Sequence, residues 1–355
     1  MNITWIIGNG FDLNLGLETG YSTFRDNLYL SSSFKSSKRD RLVEKLEGAN
    51  RYGLDTVELW SDLEVLLGKV TALYGQDEFD YFSETFEEME QCFCDYVRSQ
   101  ELRFPEELPT ECVDEFISSV TRFDKRMAWQ DGQQFSISNI EGTVNHNFVS
   151  LNYTQTLKRF IELAHNSNGA MLKHIVNGRE YGDVLNNPFY AHGTFDDEGN
   201  VKDIVFGVDS PNQIDNDAYA QNSLFVECWV KNSRNTDLFA NNNELKLREL
   251  IGGADIICIY GCSMGETDAR IWRLVGSRLI NSERSKLVMF VHQLPDRHGT
   301  SHRQYQQMRE SQRIAFQEVS GLKEDAMSKL KDRIFFVPST DYFRMGGTIG
   351  LGDFS

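Results

Sequence analysis

The chain has 355 residues, 40% of them hydrophobic and 12% aromatic, with 36 Lys plus Arg against 53 Asp plus Glu and a formal charge of −17. That apolar content supports a sizeable core and excludes global disorder. The acidic balance disfavours broad nucleic-acid binding, which works by neutralising phosphates, and docking on anionic membranes.

In chain order, Ile3 to Ile7 is a short apolar run that stops at Gly8-Asn9-Gly10, with Gly16 following. It reads as a buried strand, a glycine turn and the start of a helix. In a doubly wound sheet this is where phosphates meet backbone N–H groups and a helix N-terminus. The spacing G-x-G-x5-G is not the G-x-G-x-x-G of dehydrogenases. A glycine turn after a core strand with no ligand is the competing reading. Thr19 to Arg25 is a polar and aromatic segment opening a helix, and Ser31 to Arg39 is a serine- and basic-rich loop. From about 40 to 130, apolar residues recur three or four apart, as in Leu42 and Leu46; Leu59, Leu63, Leu66 and Leu67; and Phe82, Phe86, Met89, Phe93 and Tyr96. The acidic runs among them read as solvated faces. The expected structure is a helical insertion covering one side of the sheet, with Trp60 packed and Asp62 and Glu64 beside it.

Strand signals return at Asn147–Asn152, followed by a helix from Thr156 to Leu163 and short runs at Leu172–Val176, Phe189–Ala191 and Asp203–Gly207. Asn212 to Glu249 reads as mostly helical. Ile256–Tyr260 is continuously apolar, as in a strand buried on both faces of a parallel sheet. A helix from Thr267 to Leu279, a strand at Lys286–Val291, a helix at Arg303–Phe316 and a strand at Ile334–Val337 complete the chain. This alternation predicts α/β architecture with a Rossmann-like, mostly parallel sheet over residues 1–355 as a single domain.

No stretch approaches the ~20 apolar residues of a spanning helix. Glycines and Asp12 interrupt the N-terminus before a signal-type stretch forms. A cytoplasmic protein without membrane attachment is expected. Cys92, Cys94, Cys112, Cys228, Cys258 and Cys262 include no C-x-x-C pair. Reduced thiols are expected, and no metal.

Ligands of doubly wound sheets sit beyond the C-terminal strand ends. That rule selects Gly8 to Gly16, Asn152-Tyr153-Thr154-Gln155, His192-Gly193-Thr194, and Gly261-Cys262-Ser263 with Glu266-Thr267-Asp268. Each has a plain alternative. His192 can be a satisfied turn residue, Asn152 the N-cap of the helix after it, and Thr267 or Asp268 the cap of the next. Cys262 reads as a small loop or core thiol, since no base accompanies it. His174 competes with His192 for a functional role, and His298 and His302 lack the partners of a metal site.

Four segments, I-I-G-N-G-F-D-L at 6–13, S-L-N-Y-T-Q-T-L at 150–157, H-G-T-F at 192–195 with I-V-F-G-V-D at 204–209, and I-Y-G-C-S-M-G-E-T-D at 259–268, together resemble the bacteriophage abortive-infection AbiH family. That family in turn resembles the sirtuins and the sirtuin-like NAD hydrolases of phage defence. The resemblance implies a sirtuin-like fold. Gly8, Gly10 and Gly16 match the glycines of the NAD loop, Asn152 the asparagine of Q-N-I-D, His192 the catalytic histidine, and Gly261 with Ser263 the late nucleotide loop. Thr154 stands where sirtuins carry aspartate, Glu18 where the family usually has proline, and the zinc module is missing, which argues against protein deacylation. The implied activity is hydrolysis of NAD to nicotinamide and ADP-ribose in phage defence, with His192 and Asn152 catalytic. Gly8, Asn9, Gly10, Phe11, Asp12, Gly16, Tyr21, Gly261, Ser263, Glu266 and Asp268 would bind the nucleotide. The backbone of Gly8 to Phe11 would hold the pyrophosphate, and Asp12, Glu266 or Asp268 the ribose hydroxyls. A homo-oligomer or a defence-complex partner is expected to restrain such an activity. The alternative is a catalytically silent nucleotide-binding sensor, which the threonine at 154 favours.

Overall fold

The structure, a computed structural model, describes residues 1–30, 38, 41, 42, 44, 45, 63–127, 129–135, 137–167, 172–196, 198, 201, 202, 204, 206–231, 238–292, 302–345 and 349. Most of the Ser31–Arg39 loop, Leu46, Leu59, Trp60, Asp62 and His298 lie outside them.

The strands are β1 (Asn2–Ile7), β2 (Val144–Ser150), β3 (Lys173–Val176), β4 (Arg179–Leu185), β5 (Phe189–Tyr190), β6 (Thr194–Phe195), β7 (Val201–Lys202), β8 (Ile256–Tyr260), β9 (Lys286–Val291) and β10 (Ile334–Pro338). The central sheet runs β10-β9-β8-β1-β2-β4-β3, with β5 also beside β2. Its pairings are parallel except the β3–β4 hairpin. The architecture is therefore mixed α/β around a mostly parallel sheet. β6 and β7 form a separate antiparallel pair.

The alternation of strand side chains explains why the middle strands read as unbroken apolar runs. In β1, Ile3, Trp5 and Ile7 enter one core, whereas Ile6 enters the core on the opposite face. In β8, Ile256, Cys258 and Tyr260 face the first core and Ile257 and Ile259 the second. Both faces are covered, so neither needs polar residues. On the first face lie helices α5 (Thr110–Thr121) and α6 (Thr156–Asn166), contributing Phe116, Ile117, Val120 and Phe160. On the second lie α8 (Leu238–Gly252), α9 (Ala269–Asn281), α10 (His302–Ser320) and α11 (Glu324–Leu330).

The helical insertion divides in two. α5 covers the sheet, as expected. The remaining described helices, α2 (Tyr21–Leu30), α3 (Leu63–Val70) and α4 (Phe79–Glu101), do not cover a sheet face. The α4 stripe of Phe82, Phe86, Met89, Phe93 and Val97 builds a third core with Phe195, Phe206, Tyr219, Phe225 and Trp229, the last two from α7 (Ser223–Trp229). Phe82 packs on Tyr219 at 5.4 Å and on Phe225 at 5.6 Å, so aromatic pairing directs these helices toward the late segment. Tyr153, directly past β2, joins this core and packs edge-on against Phe93 at 5.5 Å.

Two sequence readings change. Arg179–Leu185 is a strand that the periodicity did not mark. The Asp203–Gly207 run is not a strand at its described residues; a single parallel bridge joins Val208 to Val230 just after it. The backbone there lies directly on Trp229, since a Cβ on Gly207 would stand 2.2 Å from the Trp229 carbonyl oxygen.

Candidate functional site

β1 is the point where the winding reverses. The chain passes from β1 to β2 on one side, then later to β8 on the other, and the helices after them pack on opposite faces. Such a reversal opens a crevice beyond the strand ends. A cleft of about 1350 Å³ occupies this edge. It is lined by Gly8, Asn9, Gly10, Asp12, Tyr21, Asn152, His192, Gly261, Ser263 and Asp268 from the sequence-derived set. Phe11, Gly16 and Glu266 are not among its lining residues.

The glycine turn is built for contact between two loops. The Gly8 N–H donates to the Tyr260 carbonyl (2.9 Å), the Gly10 N–H to the Gly261 carbonyl (2.8 Å) and the Phe11 N–H to the Gly8 carbonyl (3.0 Å). A Cβ on Gly10 would stand 2.5 Å from the Gly261 Cα, and one on Gly8 2.6 Å from the Gly261 oxygen. These amides are spent inside the protein, which removes them as pyrophosphate donors. The helix that follows, α1 (Gly10–Asn14), is only five residues long. Gly16 ends it at φ +87°: its N–H donates to Leu13, and the next, Leu17 N–H, donates to Asp12. This is a Schellman stop, which requires the left-handed conformation glycine adopts cheaply. The Phe11 ring is core, edge-on to Phe160 at 5.9 Å and to Phe343 at 5.6 Å.

Asp12 is buried and accepts hydrogen bonds from the Thr154 hydroxyl (2.7 Å) and the Thr156 hydroxyl (2.6 Å). Burial pushes its carboxyl up to about 6, against the lowering by those two hydroxyls. The threonine at 154 is thus the partner of a carboxyl on the neighbouring loop, and the β1 and β2 loops are pinned together through Asp12.

Asn152 is 5% exposed and lines the cleft. Helix α6 begins at Thr156 with Gln155 in the cap position, so Asn152 is not its N-cap. The amide lies near enough to Asp12 to lower that carboxyl's proton affinity. Yet neither Oδ1 nor Nδ2 closes a hydrogen bond among the described residues. A buried amide without partners is costly, about 1–3 kcal/mol, and points to a group that completes it.

His192 is 5% exposed, and its Nε2 stands 2.9 Å from Asp268 Oδ1, within ion-pair distance but off the direction of a linear hydrogen bond. Asp268 occupies the cap position of α9 without capping it. Its carboxylate is turned instead toward His192 and toward Lys231 Nζ, 3.3 Å away. Lys231 in turn pairs with Glu64 Oε2 at 2.7 Å, both side chains about 5% exposed or less. Burial pushes the His192 imidazole below its ordinary value, and the Lys231 cation adds to this against Asp268. Burial alone would raise Asp268, but Lys231 and His192 outweigh it and hold the carboxyl well below the usual range. A neutral His192 then places its proton on Nε2, assigned from the carboxylate contact, and leaves Nδ1 as the basic nitrogen.

The other candidates take structural places. Burial raises the Cys262 thiol far above its ordinary value, and its Sγ contacts the Tyr260 carbonyl at 3.5 Å, so it is no thiolate nucleophile. His174 lies outside the cleft, with Nε2 on the Ile140 carbonyl (2.8 Å) and Nδ1 beside Asp183 (3.3 Å). Among the described residues no group of three or more His, Cys, Asp or Glu is placed to hold a metal, and no helix is long and apolar enough to cross a membrane. Lys231 was not marked by the sequence: it is a single lysine after an aromatic helix, and its partners Glu64 and Asp268 are 167 and 37 residues away.

No curated protein matches the chain. The family model described as bacteriophage abortive infection AbiH matches residues 4–290, and the chain belongs to that family.

Proposed function

We propose, with membership of the abortive-infection family as the premise, that the cleft binds NAD or a related nucleotide and hydrolyses it to nicotinamide and ADP-ribose. The observation that carries this is Asn152, whose buried amide has no partner and lines the same cleft as the His192–Asp268 pair. An amide that both donates and accepts can hold a water and a ribose hydroxyl together. His192 Nδ1 accepts a proton from that water as its oxygen attacks the ribosyl carbon. The glycosidic bond breaks with its electron pair leaving on nicotinamide, and Asp268 stabilises the imidazolium formed. Because Gly8, Gly10 and Phe11 donate internally, nucleotide contacts fall to side chains such as Asn9, Tyr21 and Ser263. A sirtuin-like descent fits the order of strand-end motifs. In an infected cell the reaction would deplete cofactor, a role in which restraint by self-association or a partner protein is expected.

A second reading, a nucleotide sensor without chemistry, draws on the same committed loop amides and on the occupied Asp12 carboxyl. Chromatography of NAD after incubation with wild type and His192→Ala separates the two. Hydrolysis gives nicotinamide from wild type and a loss of about 10²-fold or more in the variant. Saturable binding with no product in either leaves the sensor.

A further inference from the structure

The Lys231 ammonium sits among three acceptors from three separate parts of the chain. Glu64 Oε2 lies at 2.7 Å, on α3 of the helical insertion. The Thr267 carbonyl at 3.1 Å and Asp268 Oδ1 at 3.3 Å belong to the segment after β8. Lys231 itself follows the bridge between Val230 and Val208. Its side chain is 3% exposed, and that of Glu64 5%. Lysine has three N–H donors and a compact charge, so such a seat fixes both its direction and its ionisation. Asp268 Oδ1 is shared between Lys231 and His192.

We propose that Lys231 is the positioning residue of this site: clamped by Glu64, it fixes the Asp268 carboxylate against His192 and keeps the imidazole neutral, so that the helical insertion is tied directly to the reacting edge of the sheet. The proposal rests on His192 being the base of the site. Without the ammonium, Asp268 alone would draw a proton onto His192 and close Nδ1 as a base. Without Glu64, the ammonium would act on the pair unopposed. The other groups facing the imidazole do not replace this balance. Arg270 reinforces the lysine, Tyr153 stands 6.4 Å away ring to ring, and the Cys262 thiol is uncharged. Asp209 is the nearest further carboxylate, and it is set against Arg273 at 3.3 Å.

The two partners of the clamp therefore have opposite effects, which a merely structural staple would not produce. The measurement is the titration of the His192 ring nitrogens by NMR on the full chain, the signal identified by its loss in His192→Gln. Lys231→Met is expected to raise the midpoint by about one pH unit or more, Glu64→Gln to leave it or lower it, and Lys231→Arg to stay near wild type. Should Lys231→Met not fold, the double variant Lys231→Met with Glu64→Gln removes both charges and is expected to show the same rise. Midpoints that move together in the two single variants, or that do not move, overturn the proposal. Nicotinamide release from NAD is read in parallel across pH. Shifted midpoints with no release under any condition leave the positioning role standing and remove the hydrolase, whereas release with unmoved midpoints does the reverse.

Discussion

Gly10→Ala separates a glycine kept for a ligand from a glycine kept for the fold. The new Cβ would stand 2.5 Å from the Gly261 Cα, with the Gly261 oxygen at 3.1 Å. Ordinary carbon contacts are about 3.5–4.0 Å, so the two loops must part by about 1 Å. Both neighbours are backbone, so no side chain can rotate away. Overpacking of this kind costs about 1–3 kcal/mol. Stretching the 2.8 Å bond from the Gly10 N–H to Gly261 adds about 1 kcal/mol. Alanine's advantage over glycine in a helix, up to about 1 kcal/mol, offsets part of this, leaving a net loss of about 2–3 kcal/mol. Urea unfolding of the unliganded chain reads it directly as a lower midpoint at unchanged slope. An unchanged midpoint together with lost nucleotide binding would refute the loop-packing explanation and return Gly10 to the role of a ligand cradle.

Two further predictions follow from the buried titrating groups. Asp12, raised from 3.8 to about 6, carries a penalty of roughly 3 kcal/mol above pH 6, which vanishes below pH 3.8, where both states are protonated. Asp12→Asn, which keeps an acceptor and gains a donor for the two threonines, is therefore expected to be more stable than wild type at pH 8, with the advantage shrinking as pH falls toward 4. An advantage independent of pH would contradict this. His192 is neutral in the fold, so below its ordinary value of 6.5 the unfolded chain takes up the proton first and wild type loses stability. His192→Gln is expected to flatten that loss in denaturant midpoints compared at pH 7 and pH 5; an equal loss in both proteins would place its origin elsewhere.

The fold was legible where burial was two-sided. Ile256–Tyr260 and Lys286–Val291 were read to the residue because an apolar run between two helical layers has no competing interpretation. β4 escaped because it lies toward the sheet edge, and its Arg179, Glu180 and Val184 are exposed. A signal for it was present in Asn177-Gly178, both at positive φ, the turn that two-residue hairpins favour. Asn152, His192 and Asp268 were recoverable because each stands just beyond a parallel strand or on the loop that follows one. What makes them a site was not recoverable. The Lys231–Glu64 pair and the two threonines on Asp12 join residues far apart in sequence, and no local spacing marks a charge that will be buried. Gly8 and Gly10 were read as close approach of a ligand to backbone; the close approach exists, but the partner is another loop.

The most direct test of a nucleotide-cleaving cleft is nicotinamide release by Asn152→Ala, measured at protein concentrations where its unfolding curve shows it folded. Removing a buried amide that has no partner relieves about 1–3 kcal/mol of desolvation against the packing lost, so the variant is expected to be at least as stable as wild type. The expected result is a folded protein that releases no nicotinamide under conditions where wild type does. Release at the wild-type rate would show that Asn152 plays no part in the chemistry and would contradict the proposed site.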